Sequence, residues 1–132
     1  FADMYRRALT QFGLTPLPVG AHSPSHVAAS DDEAREQLWP HYEAIMSRIG
    51  AERGWPPMSR AQFEQEVEHG SLYVGSPETV AGRIAAAVRT LDVARFDLKY
   101  SAGPLEHDGL MRCIELYGSV VIPRVRELLA SS

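Results

Sequence analysis

Residues 72–91, LYVGSPETVAGRIAAAVRTL, limit the possible fold of this chain more than any other segment. A short apolar run stops at Gly75, and Ser76 and Pro77 are residue types that start a helix. Apolar residues then recur at helical spacing, and the charged residues between them can face water. A strand-like run, residues 95–100, follows almost at once. A helix joined to a strand by a short link predicts an α/β fold.

The composition indicates a soluble protein with one modest core. The 132 residues are 45% hydrophobic and 23% charged, with a formal net charge of −4. No cluster of Lys and Arg interleaves with aromatic residues, which argues against nucleic acid and membrane surfaces as partners. No apolar run approaches the ~20 residues needed to cross a bilayer. Cys113 is the only cysteine, which excludes an internal disulfide framework and a thiolate-rich metal site.

The chain begins within FADMYRRAL, which has the periodicity of a helix already under way. This start resembles neither a signal peptide nor an initiator methionine. We therefore expect the chain to be the tail of a longer, cytoplasmic protein.

Most of the chain is predicted to be helical. Besides residues 77–91, helical spacing and end signals occur in residues 2–12, 30–49, 60–68 and 107–129. Gly13 is a predicted C-cap, and Ser30 with Glu33 forms a predicted capping box. Pro40 is expected to kink its helix or split it in two, and Pro123 to start a new segment of the last helix.

Residues 19–29, VGAHSPSHVAA, predict a strand. Because proline cannot donate to a β-ladder, Pro24 is expected to end the strand or to cause a bulge. His22 and His26 are four residues apart, a spacing that could share a metal ion on a helix. In extended chain with no carboxylate nearby, we predict no metal site. Histidines that line a cleft could still donate hydrogen bonds or transfer protons near neutral pH.

Asp97 and Lys99 alternate with apolar residues, so both charges lie on one face of the predicted strand. The favoured interpretation is an internal ion pair or a bare edge face. The alternative is a polar face that lines a functional site. Such a site would continue into Tyr100, Ser101 and Gly103 at the end of the strand.

Three further features have plain structural interpretations. The sequence Gly75-Ser76-Pro77 could seat an anion on open amides, but without GxGxxG or GxxxxGK[ST] we interpret Ser76 as a helix cap. Cys113 lies in an apolar stripe and is expected to be a buried, inert thiol. The acidic run at residues 31–33 is expected to be a solvated helix start. None of these features completes a catalytic constellation, so the catalytic residues remain unassigned.

Four phrases, taken in order, resemble the C-terminal part of luciferase-like flavin-dependent oxidoreductases. They are HSPSHVAASDDEAREQ, RGWPPMSRAQFE, LYVGSPETVAGRI and RFDLKYSAGPLEHDGLMRCIELYGSVVIPRVREL. Members of that family are TIM barrels, which have eight βα units. The resemblance implies that residues 1–132 form one segment with about two of those units. Residues 19–28 would be the seventh strand, 30–70 a helical insertion, 77–91 the seventh helix, 96–100 the eighth strand and 107–129 the eighth helix.

The same resemblance implies reduced flavin, which is FMN in most members and a deazaflavin in some, with oxygen or hydride chemistry on a small organic substrate. A flavin reductase is an expected partner. About six strands of the barrel lie outside this chain, so the 132 residues alone are expected to hold no flavin and to be inactive. Open strand edges pair with other chains, which predicts a homo-oligomer.

TIM-barrel sites lie at the C-terminal ends of the strands. The resemblance therefore leaves six positions as candidates for a cofactor or substrate cleft. They are His22, Ser23 and His26 after one strand, and Tyr100, Ser101 and Gly103 after the other.

Two other interpretations stay open at this stage. A non-enzymatic helical interaction module would use the C-terminal helices to bind a partner, and it predicts no flavin dependence even in a longer chain. A small ligand-binding α/β domain would use the HSPSH segment and the face that carries Asp97 and Lys99.

Overall fold

Six α-helices and three β-strands make up the residues that the computed structural model describes, 1–100 and 105–131. In chain order they are α1 (Ala2–Phe12), β1 (Gly20–Val27), α2 (Asp31–Arg53), α3 (Arg60–Glu68), β2 (Tyr73–Gly75), α4 (Pro77–Leu91), β3 (Arg95–Lys99), α5 (His107–Leu116), a π-helical turn (Tyr117–Val121) and α6 (Ile122–Ala130). The prediction of a helix-rich α/β fold is confirmed. None of the helices in these residues is long and apolar enough to span a bilayer.

The helix ends lie where short-range signals predict them. Gly13 ends α1 with a φ of 63°. The Ser30 hydroxyl accepts a hydrogen bond from the Glu33 amide at 3.1 Å, and the Ser76 hydroxyl accepts one from the Thr79 amide at 3.3 Å. Each signal satisfies a backbone group that the helix itself leaves unpaired. The predicted caps Gly13, Ser30 and Ser76 are therefore confirmed. Of the predicted capping box, the described residues show only the Ser30 half, because the Glu33 carboxylate accepts from the Gln37 amide nitrogen instead.

The sheet is parallel, and β1 lies between β2 and β3. Residues 20–24 of β1 pair with β3, and residues 25–27 pair with β2. The prediction that Pro24 ends or bulges the strand is wrong, because the strand continues to Val27. Pro24 is the residue at which β1 changes its partner, so its missing amide lies at the end of one ladder.

The pairing of β1 with β3 requires a long connection. Parallel strands need a crossover, and here α2, α3, β2 and α4 all lie between the two strands. The short strand β2 was predicted only as an apolar run, and it extends the sheet beside the end of β1.

One face of the sheet packs against α4, α5 and α6. Side chains alternate along a strand, and Val27 of β1 faces these helices together with Phe96 and Leu98 of β3. The buried members contributed by the helices and the turn are Val80, Ala81, Ile84, Cys113 and Val121. The Cys113 thiol accepts a hydrogen bond from the Val27 amide at 3.3 Å, and burial raises its pKa. Cys113 is thus a buried thiol, as predicted.

The opposite face is covered only near the C-terminal ends of β1 and β2. There α2 and α3 pack over Val74, with Phe63 at the centre of the cluster. The fully covered members from the two helices also include Ala34, Leu38 and Val67. The described residues on the remainder of this face, along the first half of β1 and along β3, are exposed or half-buried.

Helix α2 runs without a break through Pro40, so of the two predicted outcomes, a kink or a split, the split is wrong. Proline removes the hydrogen bond to the carbonyl four residues earlier, which belongs to Glu36. Pro40 and Glu36 are both exposed, so water can satisfy that carbonyl. Buried Ala34 and Leu38 hold the first half of the helix against the core.

Candidate functional site

His26 is a fully buried polar residue near the C-terminal end of the central strand. Its relative exposure is 0%, and it lies in register with Val74 of β2. Both residues lie on the face that α2 covers. A histidine in this position is desolvated and close to the strand ends at which barrel enzymes place their sites.

Two side chains of α2 fix the hydrogen bonding of His26. The imidazole Nε2 lies 2.8 Å from Gln37 Oε1, and the Gln37 amide nitrogen donates to Glu33 Oε1 at 2.8 Å. A carboxylate can only accept, so the Gln37 nitrogen faces Glu33 and its oxygen faces the imidazole. The Nε2 atom must therefore carry a proton and donate it to Gln37. The other nitrogen, Nδ1, is left with a free lone pair in the neutral ring.

The electrostatics favour the neutral form of His26. Burial lowers its pKa below the ordinary value, and it outweighs the hydrogen bond to Gln37 and the negative charge of Glu33, which act in the opposite direction. His41, one helical turn beyond Gln37, lowers the pKa further. Among the described residues, the Nδ1 atom of His26 has no hydrogen-bond partner.

An open groove lies next to this buried pair. It has a volume of about 350 Å³ and separates α2 from the start of α5. Its α2 wall carries Gln37, Pro40 and His41, and its other wall carries Leu105 and Glu106. Gln37 thus lines the groove and also bonds to His26.

The predicted candidates on β1 do not converge on this groove. His22 is exposed, whereas Ser23 is 8% exposed and points to the opposite face, towards α4, α5 and α6. Since the strand continues past Pro24 to Val27, His22, Ser23 and His26 all lie within β1 and not after it. Residues four apart on a strand are separated by ~13 Å, so His22 and His26 cannot ligate one metal ion. Among residues 1–100 and 105–131, no group of three potential ligands could hold a metal ion.

The candidates after β3 are only partly described. Tyr100 follows the last residue of β3 and is 44% exposed. Ser101 and Gly103 lie outside the described residues. Asp97 forms an ion pair with Arg95 at 2.8 Å, two residues earlier on the same face, and not with Lys99. All three charged residues are exposed, which agrees with the bare-face interpretation.

Asp31 has a role that the sequence did not reveal. Its carboxylate accepts a hydrogen bond from the Ser76 amide at 2.6 Å and one from the Thr79 hydroxyl at 3.0 Å. The prediction of a solvated acidic helix start is therefore wrong for Asp31, whereas Asp32 and Glu33 are exposed as expected. The open amide at the start of α4, considered above as an anion seat, is occupied by a carboxylate of the protein itself.

The contacts of Asp31 change its titration. Burial alone would raise its pKa, but the hydrogen bonds from Ser76 and Thr79 and the charge of Arg35 outweigh it, so the pKa lies below the ordinary value. A carboxylate with a lowered pKa in the folded state stabilises the fold above its unfolded pKa, which is about 3.9. That contribution is lost as the pH falls through the folded pKa.

Replacing Asp31 by asparagine is expected to destabilise the protein by about 1–2 kcal/mol at pH 7, because a charged acceptor becomes a neutral one. The difference from the parent protein should shrink as the pH falls below the unfolded pKa of about 3.9 towards the lower folded pKa. Urea unfolding at pH 7 and over a series of lower pH values measures both effects. Asp32→Asn is the matched control, since Asp32 is an exposed residue in the same helical turn. Equal losses in the two variants at pH 7 would contradict the assignment.

Solved structures of monooxygenases resemble this chain over nearly its full length. The monooxygenase RslO1 from Streptomyces bottropensis matches 92% of this chain and 36% of its own, with a TM-score of 0.74 and 20% sequence identity. The chain shares the fold of luciferase-like monooxygenases. No protein-family model and no curated protein sequence matches it.

Two further structures with the luciferase-like fold agree. One is the oxygenating constituent of 3,6-diketocamphane monooxygenase from the CAM plasmid of Pseudomonas putida, a type II Baeyer–Villiger monooxygenase in complex with FMN. It matches 94% of this chain and 38% of its own, at 19% identity and a TM-score of 0.64. Apo-MsnO8 matches 99% and 40%, at 15% identity and a TM-score of 0.64. The chain thus spans 36% to 40% of the length of these proteins.

The residues that sequence reasoning missed are Gln37, Glu33 and Asp31. Their hydrogen bonds join segments that are far apart in the sequence, or side chains one turn apart on α2. Gln37 and Glu33 are four residues apart, a spacing at which side chains meet on a helix, and that signal could have paired them with each other. Nothing in the sequence pairs Gln37 with His26, or Asp31 with Ser76.

Proposed function

We propose that these residues are the C-terminal part of a luciferase-like flavin-dependent monooxygenase that acts on a small organic substrate with reduced flavin and oxygen. The observation that supports this most is the structural similarity to RslO1 over 92% of the chain. In this proposal β1 and β3 are neighbouring strands of a TIM barrel, and α2, α3 and β2 form an insertion between them. The substrate would approach the C-terminal ends of the strands, near His26.

The flavin in this proposal is FMN or a deazaflavin, supplied in reduced form by a flavin reductase. The described residues do not by themselves fit such a cofactor. A flavin phosphate needs free amides or cations, but the Ser76 amide binds Asp31 and α2 begins with three acidic residues. We therefore assign the contacts with the flavin phosphate to residues outside these 132.

The strand edges support association of the 132 residues when they are alone. Within the described residues, β3 has a neighbour on one side only, and exposed edges pair with other chains. We propose that the isolated segment forms a dimer or a larger assembly, whereas a complete barrel would cover the same edge with its own strands.

The test uses the whole protein encoded by the gene and the 132-residue segment side by side. We expect the whole protein to show flavin absorbance between about 300 and 500 nm after incubation with FMN or a deazaflavin, and to oxidise reduced flavin with oxygen uptake that depends on a substrate. The segment should show neither, and its native mass should be a multiple of 14.6 kDa. A whole protein that binds no flavin would overturn the proposal and favour the interaction module.

A further inference from the structure

His26 is a titratable group that the fold encloses while leaving one of its ring nitrogens without a described partner. Its side chain has no exposed surface, and its Nε2 proton is donated to Gln37 of α2. We propose that His26 makes the packing of α2 on the sheet sensitive to pH. The helix stays in place while the ring is neutral, and it separates from β1 when the ring binds a second proton.

The second proton can bind at one atom only. Because Nε2 of His26 already carries a proton, protonation must occur at Nδ1. That atom is buried and has no hydrogen-bond partner among the described residues. Protonation would therefore enclose a positive charge and an unpaired N–H donor, and both are costly to bury. Separation of α2 from β1 removes this cost, because water can then hydrate the ring.

The charges around His26 do not offset the cost. On α2, Glu33 favours the protonated ring and His41 disfavours it, but burial has the largest effect, so the pKa lies below its ordinary value. On β2, the residue in register with His26 is the apolar Val74. Among the described residues, no further charge contributes to the shift of this pKa. The Glu33 carboxylate accepts from Gln37 and not from the ring.

The sign of the pH effect follows from the lowered pKa. The packing of α2 is most stable above the ordinary histidine pKa of about 6.5, and it loses stability as the pH falls through that value towards the lower folded pKa. Between pH 7.5 and pH 5.5, an open state that binds the proton with ordinary affinity gains up to about tenfold in population. Gln37, Pro40 and His41 lie in one wall of the groove, so the groove should widen over the same range.

Hydrogen exchange of the whole protein, followed by NMR at pH 7.5 and pH 5.5, measures the opening of α2. After correction for the exchange rates of unstructured peptides, the amides of α2 around Gln37 should lose up to about tenfold in protection at the lower pH. The amides of α4 are the internal reference and should keep their protection. In the same samples, the His26 ring should still be neutral at about pH 6, where an ordinary histidine is mostly protonated.

Variants separate His26 from the other histidines. His26→Gln keeps an N–H donor for Gln37 but cannot titrate, so the protection of α2 should no longer depend on pH. Gln37→Glu, at an exposed position, gives the protonated ring a charged acceptor and should reduce the loss, which tests the proposal even if His26→Gln folds poorly. His41→Gln on the same helix and His22→Gln on the same strand are the matched controls and should keep the response.

Four outcomes would each overturn the proposal. They are equal protection of α2 at the two pH values, a loss shared equally by α4, a His26 ring that is protonated at about pH 6, and a pH response that survives in His26→Gln. None of these readouts uses flavin, so they stand apart from the test of monooxygenase activity.

Discussion

Replacing Phe63 by alanine is expected to destabilise the protein by about 3–5 kcal/mol. Phe63 is 0% exposed and lies at the centre of the cluster formed by α2, α3 and β2. Its ring centroid is 5.3 Å from that of Trp39 and 5.6 Å from that of Tyr42. Truncation removes both aromatic contacts and leaves a cavity between α2 and α3.

Urea unfolding followed by circular dichroism and tryptophan fluorescence measures this loss. Phe63→Leu is the control, because it keeps most of the volume and should cost about 1–1.5 kcal/mol. Since α2 carries Gln37, the alanine variant should also expose His26 to solvent exchange. If the alanine and leucine variants unfold at the same urea concentration, the cluster is not a packed core.

The second large effect is expected from Gly75→Ala, which should destabilise the protein by about 2–4 kcal/mol. Gly75 has a φ of 155°, a conformation that side chains disfavour. An added methyl group would lie 2.6 Å from Asp31 Oδ1 and 3.1 Å from the Thr79 methyl group. The variant must therefore strain its backbone and displace the carboxylate that bonds to the Ser76 amide.

Gly82→Ala is the matched control for this variant. Gly82 lies in the interior of α4 with no atom within 4 Å of the added methyl group. Alanine is the better helix former, so this change should stabilise the protein by about 0.5–1 kcal/mol. Combining Gly75→Ala with Asp31→Ala should cost less than the sum of the two, because the clash then has no partner. Strict additivity would show that the strain is confined to the backbone.

The helix ends could be predicted because each cap is local. Ser30 and Ser76 each bond to an amide three residues later, and Gly13 needs no partner beyond α1. The residues within one helical turn of each cap supply the groups that form it. The same holds for Cys113, whose apolar neighbours recur at helical spacing.

The candidate site could not be predicted in the same way, because its contacts join distant segments. Ser76 and Asp31 are 45 residues apart, and His26 and Gln37 are 11 apart. The prediction that Pro24 ends or bulges the strand failed for a related reason. The rule that proline ends a ladder holds at that residue, but a second strand, β2, takes over the pairing one residue later. The sequence of one strand does not show which other strand will pair with it.

The π-helical turn before α6 turns the apolar side of α6 towards the same cluster that α5 packs against. In a regular α-helix, the twelve residue-to-residue steps from Cys113 to Val125 would leave a rotation of about 120°, and the apolar stripe would turn away from α4. The Ile122 amide bonds instead to the Tyr117 carbonyl, five residues earlier, and the wider turn removes most of that drift. Cys113, Val121 and Val125 therefore pack against one cluster.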